Sequence, residues 1–494
     1  MGAYAMSRFE PATVNLEFDK RVGDALQDQE LRANFRGAMD FLMGKRAAMF
    51  PDKEGLEALR TQGEAIRNRC LSQLPELLEQ FEQRCTENGI QVHWAETAQE
   101  ANAIILEIMH KHDATRMVKG KSMASEEIGL NHFLADHGVE CLETDMGEYI
   151  VQLADETPSH IIMPAIHKNK QQIARLFNQK IDGVEYSENV DRLIGIGRDV
   201  LRQKFFEADV GLSGVNFAVA ETGTLCLVEN EGNGRMTTTV PPVHIALCGI
   251  EKVVESLRDI PPLLKLLTRS ATGQAITTYF NMISSPRKPD EKDGPKEVHV
   301  VLLDNGRSRM YADKQLQQTL RCIRCGACMN HCPVYTRIGG HAYGTTYPGP
   351  IGQVVSPQIW GLHTAGSITK ACSLNGACGE ACPVKIPLAD LIRRLRYESN
   401  NSEPTSVPAP RGQGALRKRS EAVTWKLWAL LLHKPGLYAL ALFIATRLRA
   451  LAPRRIGPWT RYRSAPKPAA RSLHELAAQR SQSNASSQEH GRHE

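Results

Sequence analysis

Apolar residues recur at three- and four-residue spacing through 22–37 and 53–86, with charged residues between them. That period predicts a mainly helical region over residues 1–89, an arm or helical cap with no evident chemistry. From residue 90 the pattern changes. Short apolar runs at 91–95, 139–143, 149–153, 160–164, 224–229, 243–248 and 298–303 read as strands. Helical periods lie between several of them, at 97–112, 125–137, 168–178, 187–208 and 251–266. This alternation predicts an α/β domain over 90–305 with a mostly parallel or mixed sheet. Ser122 or Ser125 is placed to cap one helix, with Glu126 and Glu127 in its first turn, where the helix dipole favours acids.

A polar, proline-bearing stretch at 284–297 precedes the last strand. A short helix is expected at 311–320, and a region of loops and short helices, with two cysteine runs, over 306–398. Residues 399–415 are rich in Ser, Pro and Gly and read as a linker. A helical region follows over 416–472. Its two apolar stretches, 425–432 and 437–446, are split by His433-Lys434-Pro435-Gly436, and neither reaches the roughly 20 residues of a membrane span. The polar composition of 473–494 predicts a disordered tail.

A chain of 494 residues is too long for one ordinary core, so two or three domains are expected. Its formal charge of +5 is unevenly placed. Between Arg411 and Arg471 there are fourteen Lys or Arg and one acid, Glu421, so the rest of the chain is net negative. The basic segment lacks aromatic platforms and any recognised nucleic-acid fold motif, so no nucleic acid is expected. Docking to a partner, or peripheral contact with an anionic membrane surface, is expected instead. The opening residues lack the apolar run of a secretory leader, and a cytoplasmic location is expected.

Twelve cysteines change the picture most. Cys70, Cys85, Cys141, Cys226 and Cys248 are scattered singly and read as small buried hydrophobes. The other seven form two runs. The first, Cys322-Ile323-Arg324-Cys325-Gly326-Ala327-Cys328-Met329-Asn330-His331-Cys332-Pro333, has the C-x2-C-x2-C-x3-C-P spacing of bacterial ferredoxins. The second has Cys372, Cys378 and Cys382-Pro383, with Asn375 where a full run would place cysteine. The residue before proline in such runs normally serves the other cluster. That crossing assigns Cys322, Cys325, Cys328 and Cys382 to one four-iron cluster, and Cys332, Cys372 and Cys378 to a second. The second is one thiolate short. It holds three irons with a vacant corner at Asn375, or four with Asn375, water or another donor, or it is a labile four-iron cluster with an open iron. No flavin or nicotinamide fingerprint accompanies the runs, which favours an electron relay or subunit. Arg321 and Arg324 either raise the cluster potential, contact a partner or are solvated surface charge.

The two runs resemble the helical ferredoxin domain of respiratory subunits. The nearest pattern is the iron–sulfur subunit of succinate dehydrogenase, whose second run is also C-x5-C-x3-C-P and whose three-iron cluster favours the first of the three options. Lys121-Ser122-Met123-Ala124-Ser125-Glu126-Glu127, Glu143-Thr144-Asp145-Met146-Gly147-Glu148-Tyr149, Gly214-Val215-Asn216-Phe217 through Glu221-Thr222-Gly223-Thr224, and Gly379-Glu380-Ala381-Cys382-Pro383-Val384-Lys385-Ile386-Pro387 are together similar to the lactate utilization protein B family. That resemblance implies an α/β lactate-utilisation domain, likened to the sugar-phosphate isomerase and CoA-transferase fold. A two-cluster ferredoxin domain and the basic helical C-terminal region follow it. It implies an electron-transfer subunit in a system oxidising L-lactate to pyruvate. The expected partners are a cysteine-rich redox subunit and a small protein sharing the α/β domain. Members of the family usually carry cysteine at position 375, from which Asn375 departs. The other function class is an iron–sulfur enzyme or sensor that binds a small hydroxy acid at an open iron. Lys121, Ser122 and Glu126 at a helix start, and Glu221 and Thr222 at a strand–turn–strand junction, are candidates for an anion or substrate pocket. His167 and His244 are expected to be structural or partner-facing.

Overall fold

The computed structural model describes residues 13–401, 419–460 and 464–490. The described residues up to 401 belong to one compact unit and those from 419 to a second.

The first unit is built on ten strands: Gln91–Ala95 (β1), Arg116–Lys119 (β2), Glu140–Glu143 (β3), Val210–Gly214 (β4), Phe217–Val219 (β5), Thr224–Glu229 (β6), Val243–Gly249 (β7), Val253–Val254 (β8), Tyr279–Ile283 (β9) and Glu297–Leu303 (β10). Six form a parallel sheet in the order β1-β10-β7-β4-β2-β3. Strands β4 and β7 are buried along their whole length and are mainly apolar, their two polar side chains, Ser213 and His244, bonding each other. Side chains alternate by the period of two. Val301 and Leu303 pack with the helices Ala98–Lys111 and Leu130–Asp136, whereas Val298, Val300 and Leu302 join a core shared with the N-terminal helices and the cysteine-rich region. The chain leaves β2 for β3 on one side and later returns to β4 on the other. The winding therefore reverses between β2 and β4, the position at which open α/β sheets bind ligands beyond their carboxyl ends. A smaller mixed sheet, β8-β5-β6-β9, sits beside it.

The N-terminal region is four helices, Thr13–Gln27, Gln29–Met49, Lys53–Ser72 and Leu74–Glu87. Asp28 and Asp52 start the second and third, their carboxylates accepting from the Leu31 and Gly55 amides. These helices are not a free arm. One continuous apolar core takes residues from Val14 to Leu395, drawn from the helices, the sheet and the cysteine-rich region.

Several expected elements differ. Residues 149–153 lie in a helix, Met146–Leu153, because the Asp145 carboxylate accepts from the Gly147 and Glu148 amides and caps it. That helix is buried on nearly every side, which removes the polar stripe that marks a helix in sequence. Residues 160–164 form turns, not a strand. The helix expected at 125–137 is broken into Met123–Glu127 and Leu130–Asp136 by Gly129, at φ +65°. The one expected at 251–266 starts only at Ile260, with Pro261 and Pro262 in its first turn, after the short strand β8.

The second unit contains Arg419–His433 and Pro435–Arg447, which meet at 102°. Among the described residues no single helix is long and apolar enough to cross a membrane; this bent pair passes on length and composition only when taken together. Leu473–His490 is helical, against the expected disorder. The sequence Ser472-Leu473-His474-Glu475 is a capping box: the Glu475 amide donates to Ser472 Oγ and the Ser472 amide to Glu475 Oε2. The linker expected at 399–415 lies largely outside the described residues; 399 and 400 close the helix Leu388–Asn400.

Candidate functional site

The two cysteine runs adopt one backbone conformation, fifty residues apart. Arg324 and Leu374, each two positions after the leading cysteine, are left-handed at φ +60° and +58°. Gly326 and Gly376 follow, both at +83°. In each loop the left-handed residue turns its amide onto the leading sulfur, Arg324 N to Cys322 Sγ at 3.4 Å and Leu374 N to Cys372 Sγ at 3.3 Å. Each loop then opens a short helix, Ala327–Asn330 or Ala377–Ala381, that carries the next cysteine. Two bulky residues held in a conformation that favours glycine mark a backbone shaped for a purpose other than stability.

Cys322, Cys325, Cys328 and Cys382 line one small enclosed space, with Ile161, Ile351 and Ile386 around it. The sulfur that joins from the second run is the one before proline, as the spacing predicts. Cys332, Cys372 and Cys378 form the other neighbourhood, each of Cys332 and Cys378 being influenced by Cys372. Asn375 is exposed, at the loop position matching buried Cys325. Burial pushes the Cys332 and Cys382 thiols up to about 11 and Cys378 up to about 12. Metal-free sulfurs here would be neutral, and bound iron would supply the positive charge that makes buried thiolates tenable. Soft sulfur donors on short loops, with amides turned onto the sulfurs, fit iron–sulfur clusters. Such groups supply one-electron transfer when bound.

The N-terminal helices reach this centre, which the sequence did not signal. Arg60 donates to the Cys382 carbonyl at 3.0 Å and the Gly379 carbonyl at 3.2 Å, and Arg46 to the Ala381 carbonyl at 3.4 Å. Arg321 is tied internally to Glu64 and Gln318, not solvated. From the α/β side, His160 contacts Asn330 at 3.1 Å and the Tyr335 hydroxyl donates to the Ser159 carbonyl at 2.6 Å. A buried network joins the two parts. Arg307 forks onto both oxygens of Glu127 (2.8 and 2.9 Å) and reaches Glu251 at 2.5 Å, while the Tyr347 hydroxyl donates to Glu127 at 2.6 Å. Burial works to raise the Glu251 pKa, but Arg307 and Arg324 outweigh it and hold it at about 2.

Beside the cluster loops lies a cavity of about 270 Å³. Its wall takes Lys121 and Ser122 from beyond β2, Asn216 from beyond β4, and Lys252 from beyond β7, and it extends to Arg324 and Cys325. It therefore occupies the carboxyl ends of the strands where the winding reverses. Gly214 permits this: a Cβ there would lie 3.1 Å from the Lys121 carbonyl oxygen and 3.2 Å from Ser122 Cα.

The expected pocket residues separate. Lys121 and Ser122 line the cavity, Lys121 donating to the Ile162 carbonyl at 2.6 Å and Ser122 capping Met123–Glu127. Glu126 is instead paired with buried Lys119 at 2.6 Å. Glu221 and Thr222 do not line the cavity: Glu221 accepts from the Leu257 amide, and the Thr222 carbonyl from Asn88. Theirs is a hairpin turn, which sequence pattern alone does not distinguish from a binding loop. His244 bonds Ser213 at 2.8 Å and His167 bonds Ser159 at 2.8 Å, both inside the fold and away from the cavity wall. Of the scattered cysteines, all but half-buried Cys141 are buried, and all five are free thiols.

The combination is that of a lactate-utilisation domain protein carrying an iron–sulfur dicluster region. The LUD domain family matches residues 78–303, the 4Fe-4S dicluster domain 318–386, and the lactate utilisation protein B C-terminal family 394–482. The lactate utilization protein B of Bacillus subtilis is 42% identical over 380 residues, 77% of this chain and 79% of its own length. That of Bacillus pumilus is 39% identical over 464 residues, 91% of this chain and 94% of its own. An "uncharacterized electron transport protein", YkgF of Escherichia coli, is 41% identical over 426 residues, covering 86% and 87%. The chain belongs to the lactate utilization protein B family. A solved structure of a DUF162 family protein from Deinococcus radiodurans is 16% identical with a TM-score of 0.28, covering 47% of this chain and 98% of its own.

Proposed function

We propose that this chain is the iron–sulfur electron-transfer subunit of a multi-protein system oxidising L-lactate to pyruvate. The observation that carries the reading is the convergence of cysteines 50 and more residues apart into one four-sulfur set, in a chain of this family. Cys322, Cys325, Cys328 and Cys382 hold a four-iron cluster. Cys332, Cys372 and Cys378 hold a second, with three irons and a free corner at Asn375. Lactate oxidation releases two electrons, which a pair of one-electron carriers can divide. A cysteine-rich redox subunit and a small protein sharing the α/β domain are its partners. The location is cytoplasmic, and the second unit, with Trp425, Trp428, Leu440 and Phe443 exposed among basic residues, makes peripheral contact with a membrane or partner.

Oxygen-free purification, iron and sulfide quantification and Mössbauer spectroscopy test this. Two clusters are expected, with little lactate oxidation by the isolated chain. Sulfurs joined to one another without inorganic sulfide, or robust turnover by this chain with only an artificial acceptor, overturn it. The exposure of Asn375 supports the second reading, an open iron that binds a hydroxy acid. A spectral change of the second cluster on adding lactate would favour it.

A further inference from the structure

Most polar groups on the wall of the 270 Å³ cavity are already used. Glu229 accepts from the Gly234 and Arg235 amides, Glu231 from the Met146 amide, and Arg307 is saturated by its two carboxylates. Three donors on the same wall are not. Buried Nη1 of Arg324 has no hydrogen-bond partner. The Lys252 ammonium and the Asn216 side-chain amide nitrogen donate no hydrogen bond among the described residues; the Asn216 oxygen is held by the Val228 amide at 2.8 Å. Glu251, the acid nearest these cations, is taken by Arg307 and lies 3.4 Å from Arg324 Nη2. One acid is thus shared among these cations, and the unpaired Arg324 Nη1 is a buried donor whose desolvation is not repaid, which is costly.

Comparison of the two cysteine loops isolates what is special. The left-handed backbone at 324 is not there for the arginine, because Leu374 adopts the same conformation and turns its side chain outward, 41% exposed. The first loop differs in placing a guanidinium in the cavity, steadied over the Tyr347 ring at 4.5 Å. The wall also carries Asp145, Glu229 and Glu231, each accepting from backbone amides, and apolar Ile161, Val215, Leu247 and Leu267. A few convergent donors on a mostly apolar concave surface, beyond the strand ends at the winding reversal, describe a small-molecule site.

We infer that this cavity binds a small 2-hydroxy or 2-oxo monocarboxylate, its carboxylate on Lys252 and Arg324 and its 2-oxygen on Asn216, against the loop of the first cluster. The inference rests on the electron-transfer reading, because it places a lactate-sized acid in the chain that takes up the electrons.

Calorimetric titration of the cluster-loaded full chain, without oxygen, with L-lactate, pyruvate, acetate and inorganic phosphate tests it. Saturable binding of lactate or pyruvate, tighter than acetate, is expected. Lys252→Met and Arg324→Leu should each weaken it about tenfold or more, the loss of one charged hydrogen bond. Leucine at 324 copies the second loop, so that variant should keep its iron and sulfide, which are measured alongside. Unchanged affinity in both loaded variants overturns the inference, since the cations then serve only the cluster. So does binding of phosphate alone, or of acetate as tightly as lactate. A chain that holds both clusters and exchanges electrons yet binds none of the acids overturns the inference and leaves the electron-transfer reading standing. A chain that binds them with no iron–sulfur present refutes that reading alone.

Discussion

Arg307→Met removes the cation on which the contact between the sheet and the cysteine-rich region turns. Its guanidinium is 3% exposed, and the two carboxylates it holds, Glu127 and Glu251, are 0% and 2% exposed. Removing one partner of a buried pair costs about 3–5 kcal/mol, because the other charge stays buried without compensation. Two carboxylates are left here. Arg324 at 3.4 Å relieves Glu251 in part, and the Tyr347 hydroxyl and Asn305 amide still donate to Glu127. The loss should therefore fall near the top of that range, not at twice it. At about 2.1 cal/mol/K of unfolding entropy per residue, a unit of this size has roughly 0.9 kcal/mol/K, so the loss lowers Tm by about 4–6 °C. Arg307→Lys keeps the charge but not the fork and should lose about half as much. Thermal unfolding of the cluster-loaded proteins, followed by circular dichroism, measures both. A Met variant that melts with the wild type would refute the reasoning, and so would a Lys variant as damaged as the Met variant.

Asn375→Cys should raise iron content by one per chain and convert a three-iron species to a four-iron one; unchanged iron by Mössbauer spectroscopy counts against the free corner. Gly340→Ala puts a Cβ 1.9 Å from the Ser159 carbonyl oxygen, backbone against backbone, so soluble, cluster-loaded protein should fall steeply; normal yield and iron content would contradict the contact. Burial works to raise the Glu156 pKa, but His167 and Lys168 outweigh it and bring it to about 2. A depressed carboxylate contributes stability above its unfolded pKa, about 4.3, that is lost as pH falls through the folded value. Glu156→Gln should therefore melt lower at pH 7, with the gap to wild type closing between about pH 4.5 and 2; a gap constant with pH would refute the assignment.

Where side chains repeat at a clean period, sequence and structure agree. Strands β1 and β6 fall where short apolar runs placed them, and the cysteine that crosses from the second run is the one before proline. Four-residue β2 is too short to carry a period, and β4 is diluted by Gly211 and Gly214, whose lack of a side chain is what the close approach of Thr237 and Lys121 requires. The cavity was half legible: Lys121 and Ser122 sit in a recognisable cap, but Lys252, Arg324 and Asn216 are brought to it by two different strand ends and a cysteine loop. No local pattern links them. The same holds for Arg46 and Arg60, which read as ordinary charges on the polar side of a helix.

Those arginines bear on how the protein matures. The hydrogen bond from Arg60 to the Cys382 carbonyl spans 322 positions, and that from Arg46 to Ala381 spans 335. The first helices to leave the ribosome wait for more than three hundred further residues to be translated before the loops they brace exist. The completed bracing of the iron centre therefore comes only after the second cysteine run has been made.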